Sequence, residues 1–168
     1  YRFLTVGWKA RIEKWGLMSY HFLARNMGVA LTSLPFWNPH PTATMAPLQV
    51  SAHGVALWVT SPFYLWLLRP RSTSRAYVPL LITAIAVAMP SLLYQNTGQS
   101  QFGYRFSNDY AVFLFALLAI GTSRPSRWFI GAAVWAVLIN FFGAISFERA
   151  GWQRWYFYDG HYQVFQQD

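Results

Sequence analysis

The sequence predicts an all-α fold, a polytopic helical membrane protein with about four transmembrane helices and an amphipathic interfacial helix near its N-terminal end. Three observations point there. Of 168 residues, 55% are hydrophobic and 11% charged, whereas an ordinary soluble domain carries roughly a quarter charged residues. The apolar residues form long uncharged runs instead of amphipathic alternation. The 13 Lys and Arg outnumber the 5 Asp and Glu and sit between those runs, where they act on membrane orientation and form no face for nucleic acid.

A hydrocarbon core about 30 Å thick takes about 20 helical residues, and spans are expected near 51–68, 77–95, 104–122 and 128–147. Ser51 to Leu68 has no charged residue, and its second half is rich in Trp, Tyr and Phe, as suits a helix meeting the interface. Tyr77 to Tyr94 is equally uncharged, with Pro79 near its start and Pro90 placed to kink its far end. Tyr110 to Ser123 is only 14 residues long. At helical rise it covers about 21 Å, so the span must borrow from QFGYRFSND upstream, bringing Arg105 and Asp109 into the membrane boundary on one helical face. Trp128 to Phe147 is the cleanest run, and its Ala132, Ala136, Asn140 and Gly143 form a small-residue stripe suited to close packing, with one polar side chain to bond across.

Orientation follows from the connections. Arg69, Arg71 and Arg75 occupy one loop and Arg124 and Arg127 another, while Asn96 to Tyr104 has no Lys or Arg. The positive-inside rule puts both Arg-rich loops in the cytoplasm and the QFGYRFSND segment outside. The chain then divides into an outer-face segment, 1–50, a bundle, 51–147, and an aromatic interfacial tail, 148–168, in which Asp159 and Gly160 suit a hairpin turn. Leu17 to Leu34 holds Arg25 and Asn26 at its middle. A central Arg costs about 2.5 to 3.5 kcal/mol to insert, which favours an amphipathic interfacial helix over a span. The chain begins at Tyr1 without a signal-like segment, and reads as a piece of a longer membrane protein whose remaining N-terminal part is its partner.

Candidate chemistry concentrates in Gln101, Tyr104, Arg105 and Asp109. An always-charged guanidinium at the boundary offers a planar fork of donors to a phosphate, as on a membrane lipid. Equally, Arg105 and Asp109 form an ion pair that lets the helix start, and the two roles are compatible. His21, Arg25 and Asn26 share an outer position and suit either head-group contacts or the wet face of an interfacial helix. Pro35, Pro39, Pro41 and Pro47 give a semi-rigid strap. Without cysteine and with His40, His53 and His161 far apart, neither a metal nor another cofactor is expected.

The strings WGLMSYHFLARN, the Pro-rich loop, SAHGVALWVTSPFYLWLL with its Arg-rich turn, and QFGYRFSNDY together resemble the C-terminal part of bacterial polytopic GT-C type glycosyltransferases, relatives of protein mannosyltransferases and aminoarabinose transferases. The resemblance implies an enzyme of the bacterial inner membrane that moves a sugar from a polyprenyl-phosphate donor to an acceptor on the outer face, with its acidic catalytic residue outside this chain. It carries over Gly103, Tyr104, Arg105 and Asp109 as a lipid-phosphate element. A competing expectation is a non-catalytic membrane module, a transporter part or assembly scaffold, whose charges are structural.

Overall fold

The computed structural model describes residues 9–51, 53–70, 74–98, 100–121 and 124–157. The α-helices among these residues are α1 (Lys9–Trp15), α2 (Leu23–Thr32), α3 (Leu57–Thr60), α4 (Tyr77–Leu93), α5 (Asn108–Gly121) and α6 (Arg127–Ser146). Three strands, β1 (Phe36–Trp37), β2 (Leu48–Ser51) and β3 (Tyr156–Phe157), make one small sheet in the order β1-β2-β3. β1 pairs antiparallel with β2 across the Pro-rich segment, and β2 pairs parallel with β3 from the C-terminal tail.

These elements correct the expected all-α architecture of four spans. The protein is mostly helical, but it contains a sheet, and among the described residues one helix, α6, is long and apolar enough to cross a membrane. The run 51–68 is no continuous helix. After β2 it makes the four-residue α3, breaks at Ser61, and resumes as a 3-10 helix at Pro62–Leu68. Proline lacks the amide proton a helix interior needs and drives the residue before it out of the helical region, and Ser61 takes φ −142 and ψ 66 accordingly. The expected span at 77–95 closes at 17 residues, about 25 Å at helical rise. The expected span at 104–122 begins only at Asn108, because the upstream segment turns through Tyr104 (ψ 86) and a short 3-10 turn at Arg105–Ser107. The run at 128–147 matches α6, whose 20 residues start behind the Ser126 cap, where the hydroxyl accepts from the Phe129 amide.

Near the N-terminus the helical part of 17–34 shortens to α2 behind a 3-10 turn at Tyr20–Phe22. Two of its polar residues, Arg25 and Asn26, bond within the protein. Asn26 is fully buried, and its amide donates to the carbonyls of Leu92 (2.8 Å) and Tyr94 (2.7 Å) at the end of α4. The Arg25 guanidinium donates to the Gln95 carbonyl at 2.7 Å, and buried Arg11 reaches the same oxygen at 3.1 Å. A helix ends with carbonyls that have no partner of their own, and these side chains supply donors to the end of α4 and the residues just beyond it.

α1, α2, α3, the sheet and residues 94–98, 100–107 and 148–157 gather at one end of α4, α5 and α6 as a head. Ser19 and Leu93, Gln95 and Leu17, and Val55 and Phe102 bond through their backbones. At the other end Pro70 and Tyr77 close on Gly121. The Asp159–Gly160 turn lies outside the described residues.

Candidate functional site

The segment Gln101–Arg105 is the seam of the molecule. Tyr104 packs into one core with Val29 and Ala30, and Phe102 joins another formed by Val50, Val55 and Tyr156. Gln101 locks the segment from within. Its amide donates to the carbonyls of His53 (2.7 Å) and Thr97 (3.0 Å), and its oxygen accepts from the Arg105 backbone at 3.1 Å. His53, fully buried, bonds the Thr97 hydroxyl through Nδ1 at 2.6 Å. The turn leading in depends on Gly98 at φ +83, where a Cβ would fall within 2.6 Å of the Gln101 amide oxygen. Phe102 is seated on α6 by Gly143, whose missing side chain leaves room for the ring.

This anchoring places Arg105 at a cavity of about 650 Å³ between α5, α6 and the head. The α5 side contributes Arg105, Ser107 and Asn108, and the α6 side contributes Asn140, Gly143 and Glu148. Thr60 and Tyr64 form the wall between them. A second cavity of about 390 Å³, lined by Phe63, Leu118 and Phe129 among others, lies farther along the same two helices, and Phe115 lines both. The 3-10 helix Pro62–Leu68 packs against both α5 and α6 and bridges them. An open compartment of mixed polar and apolar lining at the head and an apolar one between the helices thus share Phe115 as a common wall.

Electrostatically the head compartment has two sides. Arg105 is exposed beside the N-terminal turn of α5, a place of partial positive charge. Glu148 is exposed just past the C-terminal end of α6, where the partial charge is negative. Asn140 donates both amide protons, to the carbonyls of Thr60 (2.9 Å) and Ala136 (2.8 Å), so its oxygen is the part left to accept. Tyr104 is 2% exposed and its phenol completes no hydrogen bond. Burial pushes that phenol above the ordinary tyrosine range.

Of the residues singled out from sequence, the structure brings Gln101, Tyr104 and Arg105 to the cavity. Gln101 is 3% exposed and committed to internal bonds, so it positions the segment. Asp109 does not line the cavity, and it forms no ion pair with Arg105. It stands exposed in the first turn of α5, where a carboxylate favours the helix end. His21, Arg25 and Asn26 lie elsewhere. His21 stacks on Trp15 with ring centroids 3.9 Å apart, and the other two bond the residues at and after the end of α4. Sequence reasoning read Asn140 as packing glue and offered Glu148 only as one half of a carboxylate pair with Asp159, which lies outside the described residues, because nothing in the sequence brings the end of α6 beside residues 100–108. No group of His, Asp or Glu is arranged to hold a metal among the described residues.

Compared with known proteins, the chain matches no family model, no curated protein and no solved structure.

Proposed function

We propose that this chain is a membrane-associated module that binds the phosphate of a polyprenyl-phosphate-linked sugar, supplying the lipid-phosphate contact of a glycosyltransferase acting at the outer face of a bacterial inner membrane. The observation that carries the reading is the pair of neighbouring cavities with Phe115 in the wall of each. A lipid-linked phosphate needs a cationic, wet compartment for its head and an apolar slot for its chain, and Arg105 and the α5 N-terminus flank the first while Phe63, Leu118 and Phe129 line the second. Exposed apolar side chains along α6, among them Val134, Val137, Leu138 and Phe141, suit lipid surroundings. Arg105 and Asp109 form no ion pair, which removes one support for the alternative of a non-catalytic module with purely structural charges.

The test is Arg105→Ala in protein reconstituted into nanodiscs, with a polyprenyl phosphate as ligand. Loss of a charge-assisted hydrogen bond of about 1.5 kcal/mol corresponds to roughly tenfold weaker binding. Circular dichroism should be unchanged, since the side chain is exposed. Wild-type affinity in the variant would overturn the reading.

A further inference from the structure

The cavity carries a second feature that phosphate binding leaves unused. Across from Arg105, its α6 side offers acceptors: the Glu148 carboxylate, acceptor-only when ionised, and the Asn140 oxygen, whose amide protons are both spent. Among the described residues no cation lies within ion-pair distance of Glu148, Arg105 included. Glu148 also holds φ 52, a left-handed backbone conformation that glycine adopts far more easily. A carboxylate therefore occupies the cavity rim at a position where the backbone favours glycine.

We propose that Glu148, with the Asn140 oxygen, accepts hydroxyl hydrogens from a sugar whose phosphate faces Arg105, making the α6 side the specificity-determining side of the site. The inference rests on the phosphate reading of Arg105 and adds the polyol half of the ligand. A guanidinium and a helix N-terminus on one side select an anion, whereas a carboxylate beside a helix C-terminus repels one and selects donors. A bare lipid phosphate would leave those acceptors facing only water. A sugar phosphate satisfies both sides.

The experiment compares two probes in nanodiscs, a polyprenyl phosphate and the same lipid bearing a hexose on the phosphate, against wild type, Glu148→Gln and Arg105→Ala. Glu148→Gln keeps shape and removes charge. It should weaken the hexose-bearing probe by about tenfold and leave the bare phosphate unchanged or slightly tighter. Equal loss on both probes, or none on either, overturns the inference. Arg105→Ala should weaken both probes, and its failure to do so would overturn the phosphate reading, while the response of Glu148→Gln still decides the sugar contact. A measurement on wild type alone serves as a second check. Hexose 1-phosphate should displace the hexose-bearing lipid at lower concentration than inorganic phosphate, and equal potency would count against the proposal.

Discussion

Substituting Gly143→Ala tests whether the seam between α6 and the Gln101–Arg105 segment is built as described. A Cβ at Gly143 would sit within 2.7 Å of the Phe102 ring atom Cγ and closer still to two others. The ring has little room to retreat, because Phe142 and Tyr156 meet it edge-on at centroid distances of 6.0 and 6.3 Å. Overpacking of this kind costs about 1 to 3 kcal/mol. Removing the ring by Phe102→Ala costs about 2 kcal/mol, less than for a fully buried phenylalanine since Phe102 is half-buried. Independent effects would sum to about 4 kcal/mol, but once the ring is gone the new methyl has space. The double variant should therefore match Phe102→Ala alone, a coupling of about 2 kcal/mol. Equilibrium unfolding in mixed micelles, followed by tryptophan fluorescence, reads all four states. A Gly143→Ala cost below about 0.5 kcal/mol, or additivity in the double variant, would refute the packing argument.

Two further outcomes follow from the same geometry. Tyr104→Phe removes a buried hydroxyl that has no hydrogen-bond partner, so it should leave stability unchanged or raise it by about 1 kcal/mol without altering lipid-phosphate affinity; a clear loss of stability in the same unfolding assay would show that the phenol is bonded. Asn26→Ala takes the donor from the Leu92 and Tyr94 carbonyls and should cost about 2 kcal/mol, seen first as faster amide exchange in the last turn of α4. Exchange unchanged there would mean that the helix end does not depend on Asn26.

The sequence determined composition and the strongest local signals. The apolar run behind Ser126 became α6 because nothing in it interrupts a helix, and the small-residue stripe became a packing face, with Ala136 and Gly143 buried and Asn140 bonding across to Thr60. Gln101, Tyr104 and Arg105 were legible as candidates because an Arg among aromatics beside a short apolar run is costly unless it has a purpose. Only the tertiary structure decided the rest. Hydropathy averages over a window, so it read 51–68 as one span, although Pro62 breaks the backbone there and His53 is drawn into a buried network with Thr97 and Gln101. Periodicity gave α2 a polar face but not what covers it, since the carbonyls that Arg25 and Asn26 bond lie at least 65 residues away. The sheet was hidden because β1 and β3 have two residues each, too few for any alternation to register. The opposition of Arg105 and Glu148 across one cavity joins residues 43 positions apart in the chain, and Phe102 resting on Gly143 brings them together. Local chemistry can be read along a chain, while a site made of both its sides exists only after long-range packing has closed it.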